Sequence, residues 1–413
     1  MKKSLFLIAV IALVIAVLPF SLSAQSDSIT LWTSLDITNT EEARAVSLAA
    51  FIAQFEADSG ITVNVETVAW DQITTRLAIA VTAGGDVPDL VEISSQQIPQ
   101  LLDAGALMPL DDLLADQPWL GQLSAGDTNA CVIDDVRVCV ANTVRGGITY
   151  YRAADFPNGF PTTAEEALAY ADGGLAEGRE YFTTFFSGRS YGAIEVAWWP
   201  LIASNGGSLF DEEGRPNWAS AEVAEVVEYG RALLQSGLLP EASVTGEFAD
   251  AEAPWIDGVS MSFSGGSWSG IFVPGLREAV DAGEVMLAPG FDFGGGRYVF
   301  LNSESWVVPE GAANPEGAAA FISAFMTPEF VAEWAESNFG VPTLGGSDSA
   351  ASPFFAQVDA ILGGSGLYMQ QSPYYVESLD TLAIAWQELL LDPAIPALER
   401  LQAAQDEVLQ QYW

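Results

Sequence analysis

The chain offers few side chains that do acid–base or nucleophilic chemistry near neutral pH. Its 413 residues include 55 Asp and Glu, 14 Lys and Arg and no His, so the formal net charge is −41. The lysines are Lys2 and Lys3, at the very start of the chain. A Ser-His-Asp or Cys-His triad needs an imidazole, and a Walker phosphate loop or a Schiff base needs a lysine. The composition therefore excludes these enzyme classes, and histidine-ligated metal sites with them.

Two glycine-rich segments superficially resemble catalytic or cofactor motifs. Gly266-Ser-Trp-Ser-Gly270 has the outline of a nucleophile elbow, but Trp268 occupies the place of the nucleophile. Residues 294–296 lack the G-x-G-x-x-G order of a dinucleotide-binding loop. We therefore expect no catalytic residue, no cofactor and no metal.

Carboxylates remain as possible catalysts, because glycoside hydrolysis needs two acids across a sugar. Adjacent acids point apart on a helix and are also common at helix starts and turns. A secreted glycoside hydrolase is thus an alternative from another class. Such adjacent pairs include Asp111-Asp112, Asp134-Asp135, Glu165-Glu166 and Glu212-Glu213. The same acidity repels polyanions, so no nucleic-acid partner is expected.

Tryptophans in loops are the more informative residues. The chain has 12 Trp, and Trp198 and Trp268 lie in segments rich in Gly, Ser or Pro. An exposed indole presents a flat apolar face and an N–H edge, which suit the C–H face of a sugar ring. For each of them, packing in a core is the alternative interpretation.

The first 24 residues are typical of a secretory signal peptide. Lys2 and Lys3 precede an apolar run over residues 5–18, and cleavage is predicted after Ala24. No Cys for lipid attachment lies near this site. We expect a secreted or periplasmic protein without stable membrane insertion.

Two cysteines, Cys131 and Cys139, flank an alternating segment with Asp134-Asp135 at its centre. This pattern predicts a β-hairpin with an acidic turn. An even pair of cysteines in an exported chain predicts a disulfide bond.

The elements that position these residues alternate between strands and helices. Strands over 29–32, 61–65 and 88–93 are separated by helices over 41–58 and from 71 to 84, which indicates an α/β sheet with crossover helices. Further on, the pattern predicts helices over 165–171, 221–234, 315–326, 328–336 and 396–410, and strands over 193–196, 259–263, 297–301 and 306–308.

Several segments in order resemble the extracellular solute-binding proteins of ABC importers, in the carbohydrate-binding branch that includes maltodextrin-binding protein. They begin with residues 51–63, 83–91 and 102–111, and continue through 147–165, 199–214, Trp268 and the helices after 309 and 396. The resemblance covers essentially the whole chain after the leader. It implies a type II periplasmic-binding-protein fold, with two α/β lobes, a hinge of several chain crossings and an interlobe ligand cleft.

The resemblance also implies boundaries and a site. Lobe 1 would comprise residues 25–143 with 304–343, and lobe 2 residues 144–303 with 344–413. Arg145 falls at the hinge, where relatives place a polar or acidic sugar contact. The other expected ligand contacts, given by position in the family, are Thr33, Ser34, Asp36, Glu92, Ser94, Gln96 and Gln97 in lobe 1, and Glu195, Trp198, Trp268, Tyr374 and Tyr375 in lobe 2.

The function that this resemblance implies is capture of a mono- or oligosaccharide by a monomeric receptor that delivers it to a membrane permease. A receptor of the same fold for a polyamine or an organic acid is an alternative, and Arg145 would clamp the carboxylate of an acid. With no His and no internal Lys, no group in the cleft has an ordinary pKa between about 5 and 8. Affinity for a neutral ligand is therefore expected to be nearly flat from pH 6 to 8.

Overall fold

The computed structural model describes residues 28–246, 248–347 and 352–413. The expected signal peptide, residues 1–24, lies outside this range. Within the described residues, none of the helices has the length and apolar character needed to cross a bilayer.

The strands are mostly short. In chain order they are β1 (Ser28–Thr33), β2 (Thr62–Thr67), β3 (Leu90–Ser94), β4 (Val132–Ile133), β5 (Val136–Arg137), β6 (Val140–Arg152), β7 (Tyr181–Phe185), β8 (Ser260–Gly266), β9 (Val285–Ala288), β10 (Val299–Val307) and β11 (Gly366–Leu367).

The helices connect and cover these strands. They are α1 (Ala43–Ser59), α2 (Trp70–Ala83), α3 (Ile98–Asp103), α4 (Ala125–Cys131), α5 (Ala164–Leu168), α6 (Tyr191–Ala193), α7 (Trp199–Ser204), α8 (Ala221–Gln235), α9 (Ala242–Thr245), α10 (Phe248–Ile256), α11 (Ser269–Phe272), α12 (Leu276–Asp281), α13 (Pro315–Phe325), α14 (Pro328–Ser337), α15 (Pro353–Ser365), α16 (Tyr375–Leu391) and α17 (Ala397–Tyr412). A π-helical turn, Ile194–Trp198, joins α6 to α7.

Two long strands, β6 and β10, connect the two lobes of this α/β fold. The sheet order is β2-β1-β3-β10-β6-β8-β7, with β9 also paired to β6. We call the part around β1, β2 and β3 lobe 1 and the part around β7, β8 and β9 lobe 2. The first half of β6 pairs with β10, and its second half pairs with β8 and β9. The chain also crosses near Val341, which bridges to Val144. We keep the lobe boundaries given above as a proposal.

Each lobe buries apolar side chains on both faces of its sheet, as crossover helices require. In β3, Leu90 packs into one lobe 1 core, whereas Val91 and Ile93 pack into the core on the opposite face. Successive strand residues point to opposite faces, so both faces must be apolar. The polar residues Glu92 and Ser94 lie in the second half of β3, where it pairs with β10.

The segment 193–196 was predicted to be a strand, and this prediction is wrong. It belongs to α6 and the π-helical turn. Ile194, Trp198 and Ile202 recur every four residues and all pack into the main core of lobe 2. This helical spacing of large side chains outweighs the β propensity of Ile194 and Val196. Similarly, the strands predicted over 297–301 and 306–308 form the single strand β10.

The predicted hairpin is present as β4 and β5. Asp134 and Asp135 have φ values of 50° and 64°, the left-handed conformation that two-residue hairpin turns require and that Asp tolerates. Cys131 and Cys139 are joined by a disulfide bond across the base of the hairpin.

Close approach of the connecting strands leaves no room for a side chain at Gly146. A Cβ atom there would lie 2.5 Å from the Phe300 carbonyl oxygen and 2.6 Å from a Leu362 methyl. At the neighbouring Gly147 the nearest atom would lie 3.5 Å away, an ordinary contact.

These two glycines provide a matched test of the strand crossing. We expect Gly146→Ala to lower the free energy of unfolding by about 1–3 kcal/mol, because overpacking displaces backbone. Gly147→Ala should change it by less than about 1 kcal/mol, since alanine also suits a strand better than glycine. Urea unfolding followed by tryptophan fluorescence measures both, and equal effects would contradict this account.

Candidate functional site

A buried ion pair lies where the two connecting strands cross. Arg145 on β6 contacts Glu304 on β10 through its guanidinium group, and the two residues are 9% and 4% exposed. Burial is the main reason that the pKa of Arg145 falls to about 9. The Arg145 Nε–H has no hydrogen-bond partner among the described residues. This pair places one fixed positive group, balanced by one carboxylate, at the hinge.

A second buried acid, Glu92 at the end of β3, lies near this pair. Its carboxylate accepts hydrogen bonds from Thr33 Oγ1 at 2.7 Å and from Asn142 Nδ2 at 3.0 Å. Burial raises the pKa of Glu92, while these hydrogen bonds and the charges of Arg44 and Arg145 oppose the rise. In the hinge region, the negative charges of two acids are therefore balanced by two arginines. The acids are Glu92 and Glu304, and the arginines are Arg44 and Arg145.

Trp268 covers the hinge arginine from lobe 2. The Arg145 guanidinium carbon lies 5.3 Å from the centre of its ring, a cation–π distance. A Cβ atom at Gly266 would approach the ring to 2.2 Å, so glycine there lets the indole lie against the backbone. Trp268 is half-buried and keeps exposed surface at the hinge.

The segment after β3 supplies the lobe 1 amides and hydroxyls near the hinge. Ser94 Oγ lies 2.9 Å from Asn302 Oδ1, and Gln96 Nε2 donates to the Leu301 carbonyl at 2.9 Å. Gln97 is buried, and its Oε1 has no partner among the described residues. These contacts attach the segment to β10.

The lobe 2 wall carries a buried carboxylate with an unusual pKa. Glu195 lies in the π-helical turn, is 7% exposed and accepts a hydrogen bond from the Tyr375 hydroxyl. Burial raises the pKa of Glu195 to about 7, with a further rise from the nearby Asp380 that the Tyr375 bond opposes. A ligand that contacts Glu195 is therefore predicted to bind with an affinity that depends on pH, in contrast to the flat affinity expected from the composition.

Acidic groups from both lobes meet beside Glu195. The Tyr191 backbone N–H donates to Asp380 Oδ1 at 2.7 Å. Burial raises the pKa of Tyr191, as do the negative charges of Glu195, Asp380 and, from lobe 1, Asp71. Lobes 1 and 2 touch here, where Gln100 Nε2 donates to Glu377 Oε1 at 3.1 Å.

Open space between the lobes adjoins the loop that carries Trp268. Residues 39 and 41–44 at the start of α1 face residues 270–272, which follow Trp268. The cavity has a volume of about 400 Å³, within the range of small-ligand sites. Arg44 and Phe272 contribute a charge and an exposed ring to opposite sides of it.

One of the expected contacts, Trp198, lies in a core, and two others, Tyr374 and Asp36, have side-chain contacts of their own. Trp198 has no exposed surface: its Nε1–H donates to Ser187 Oγ at 2.8 Å and its ring packs 5.1 Å from that of Trp386, in the core of lobe 2. Its large apolar surface is thus used for packing, which corrects the expectation of a ligand contact. Tyr374 stacks on Tyr412, with ring centres 4.7 Å apart, near the end of α17. Asp36 is exposed and accepts hydrogen bonds from Thr38.

The remaining expected residues are distributed over both walls. Ser34 is half-buried after β1. Glu92, Ser94, Gln96, Gln97, Arg145 and Trp268 surround the hinge, whereas Glu195 and Tyr375 form the adjacent lobe 2 wall. Whether any of them contacts ligand stays a prediction.

The sequence interpretation missed the partner of Arg145. Glu304 is a lone acid inside an otherwise apolar and small-residue strand, and such an acid needs a partner when buried. That signal was available in the sequence. Arg44, Asp380 and Tyr191 lie on helices, and only the tertiary fold brings them to the cleft.

Among residues 28–246, 248–347 and 352–413, no group of three or more His, Cys, Asp or Glu side chains is arranged to hold a metal ion. The site instead offers an aromatic face, carboxylates, amides and one hinge guanidinium. Groups of these kinds are able to bind a polar ligand by stacking and hydrogen bonding.

Two lobes connected by strands, with a polar and aromatic cleft at the crossing, define the class of two-lobed solute-binding proteins. A sequence profile described as bacterial extracellular solute-binding protein matches residues 50–360. The chain belongs to this family. The comparison with curated protein sequences gives no match.

Several solved structures share the fold across nearly the whole chain. The GacH receptor of Streptomyces glaucescens, studied unliganded and with acarbose, has a TM-score of 0.76 at 14% identity, covering 94% of this chain and 99% of its own. A cyclic alpha-maltosyl-1,6-maltose binding protein from Arthrobacter globiformis has 0.74 at 22%, covering 93% and 99%. An ABC transporter solute-binding protein from Thermotoga lettingae, bound with alpha-D-tagatose, has 0.77 at 18%, covering 93% and 99%.

The raised pKa of Glu195 makes stability depend on pH. The folded state holds the proton of the Glu195 carboxyl group more tightly than the unfolded chain does. Protonation of Glu195 therefore stabilises the fold fully below about pH 4.5, and this stabilisation is lost as pH rises through about 7. We expect Glu195→Gln to remove up to about 3 kcal/mol of the difference in unfolding free energy between pH 5 and pH 8. Urea unfolding at both pH values measures it.

The control is Glu407→Gln, which changes an exposed residue of α17. In this variant, the free energy of unfolding should depend on pH as it does in the unaltered protein. An unchanged pH dependence in Glu195→Gln would mean that Glu195 is ionised throughout this range.

Proposed function

We propose that this protein is an exported receptor that captures a small carbohydrate between its two lobes. The observation that carries the proposal is the half-buried Trp268 ring, held over the Arg145–Glu304 pair where the lobes join. A sugar ring stacked on the indole would place its hydroxyl groups beside charged hydrogen-bonding groups. Such hydrogen bonds are stronger than those between neutral groups.

The ligands of similar structures support a carbohydrate. Besides those already described, similar folds include a Thermotoga maritima protein bound to maltose and a Thermus thermophilus protein bound to maltotriose. Identities are 18% and 16%, so the particular sugar does not carry over.

Closure would follow from the connecting strands. The two strands and the crossing near Val341 allow the lobes to rotate as bodies while their cores stay packed, the hinge motion known for periplasmic binding proteins. Ligand bound to both walls stabilises the closed form, and a micromolar dissociation constant needs only about 8 kcal/mol. The closed receptor would then dock on a membrane permease of an ABC importer, as a monomer. We include in this proposal export by a leader cleaved after Ala24, without lipid attachment.

A ligand with a cationic amino group is a second candidate. Asp71, Glu195 and Asp380 all raise the pKa of Tyr191 from within the cleft, so negative charge accumulates there. An organic acid is less favoured, because Glu304 already neutralises Arg145. Loss of binding for carboxylate ligands alone in Arg145→Ala would favour an organic acid, whereas loss for every ligand would reflect the unpaired buried Glu304.

The direct test is a ligand panel on the protein without its leader, read by thermal shift. The panel contains mono- and oligosaccharides, amino sugars, spermidine and dicarboxylates. The proposal predicts stabilisation by at least one sugar, and the sugar should be recovered unchanged after prolonged incubation. Stabilisation only by spermidine would favour the second candidate, and cleavage of the sugar would indicate a hydrolase.

Trp268 provides the sharpest single substitution. We expect Trp268→Ala to weaken binding of the sugar found in the panel at least tenfold, because stacking on the ring is lost. Isothermal titration calorimetry measures the affinity. Trp413→Ala removes another exposed tryptophan, at the end of α17, and should leave affinity unchanged. Equal affinities of the two variants for the sugar would show that Trp268 does not contribute to the binding site.

A further inference from the structure

A large side chain just beyond α14 has a backbone conformation that is unfavourable for it. The φ value of Phe339 is 55°, in the left-handed region that a bulky residue rarely adopts. Its N–H donates to the Glu336 carbonyl at 3.1 Å, and the Gly340 N–H donates to the Ala335 carbonyl at 2.9 Å. These two bonds form a Schellman motif, in which the left-handed residue is usually glycine. A phenylalanine persists there only if surrounding contacts hold it.

Lobe 2 supplies those contacts. The centre of the Phe339 ring lies 5.4 Å from that of Phe354 and 6.1 Å from that of Phe355, and both partners are buried residues of α15. A Cβ atom at Gly270 would approach the Phe339 ring to 2.2 Å, so glycine at this position leaves space for the ring. We call Gly270, Phe354 and Phe355 the lobe 2 socket.

The ring itself comes from lobe 1. Helix α14 packs through Val331 and Trp334 into a core that also contains residues of β1 and α1. Phe354 and Phe355 instead pack into a core with residues of β8 and β9. Phe339 is thus an aromatic side chain of one lobe inserted into the other.

The lobe 2 socket is continuous with the turn that carries Trp268, residues 267–271, which we call the Trp268 turn. Gly270 follows Trp268 by two residues, in the short helix α11. The Ile271 N–H donates to the Trp268 carbonyl at 2.9 Å, and the Gly270 N–H donates to the Ser267 carbonyl at 3.4 Å. Because these bonds join the residues in one turn, a shift of Gly270 also moves the backbone of Trp268.

Phe339 also lies where the chain crosses between the lobes. Val341, two residues later, bridges to Val144 on β6. The half-buried ring borders the open space beside the Trp268 turn. A rotation of the lobes about this crossing would therefore act on the ring and its socket.

We propose that Phe339 is a positioning residue, whose ring extends from lobe 1 into the lobe 2 socket and holds the Trp268 turn in place. The inference rests on the proposed function and adds to it the contact through which lobe 1 acts on Trp268. The left-handed backbone directs the ring into the socket, because a right-handed residue at this position would continue α14. When lobe 1 rotates, the ring displaces Gly270, and Trp268 moves with it.

The test uses two substitutions whose effects depend on each other. We expect Gly270→Ala to weaken binding of the sugar found in the panel about tenfold or more, because its methyl group overlaps the ring and displaces the turn. Phe339→Gly removes the ring but favours the same backbone conformation. It should weaken binding about three- to tenfold, since the Trp268 turn loses its support. When Phe339→Gly is already present, adding Gly270→Ala should change the affinity by less than about twofold, because the methyl group then has space.

Isothermal titration calorimetry measures these affinities, and the fitted stoichiometry gives the folded fraction separately. Gly363→Ala is the matched control, because a Cβ atom at this exposed position of α15 would lie in open space. It should bind the sugar as the unaltered protein does.

A ring that only stabilises the fold would alter urea unfolding of Phe339→Gly and leave its affinity for the sugar unchanged. That result, or an equal loss of affinity from Gly270→Ala with and without the ring, overturns the inference and leaves the sugar receptor intact. If the unaltered protein binds no sugar of the panel, both proposals fail.

Discussion

The buried pair of Arg145 and Glu304 is the constraint on which the rest of the site depends. Each charge lies on one of the two strands that connect the lobes. Removing either partner would leave an uncompensated charge in a buried place, which typically costs about 3–5 kcal/mol. The pair therefore fixes the register of β6 against β10 at the point where ligand would be held. Trp268 and Glu92 are arranged around it.

This arrangement gives the hinge two properties. The ion pair supplies directed hydrogen-bonding groups that need no reorganisation when a polar ligand arrives. The absence of a side chain at Gly146 lets the two strands approach closely, so the pair forms without widening the sheet. A receptor with such a hinge would recognise its ligand by position and hydrogen bonding.

The tertiary structure changes what the composition of the chain predicts about pH dependence. Without His and internal Lys, the cleft was expected to bind a neutral ligand with nearly flat affinity between pH 6 and 8. Burial raises the pKa of Glu195 to about 7, so a ligand that contacts Glu195 is predicted to bind with an affinity that depends on pH. Desolvation depends on the tertiary fold, so the ordinary pKa of a residue type does not predict it.

The sequence allowed prediction of the fold class, most helices of lobe 1 and the disulfide hairpin, because apolar periodicity and turn residues act locally. It failed at residues 193–196, where packing of Ile194 and Trp198 decides the conformation. The same packing explains why Trp198 lies in the core although its neighbours resemble a loop. Contacts such as that between Gln100 and Glu377 join residues 277 positions apart, beyond the reach of local patterns.

Closure of two lobes around a ligand at the hinge is the central claim, and small-angle X-ray scattering tests it most directly. The account predicts that the radius of gyration falls when the unaltered protein is saturated with the sugar identified in the ligand panel. It also predicts no such fall for Trp268→Ala at the same sugar concentration. A radius of gyration that is unchanged by a sugar bound at full occupancy would contradict the account.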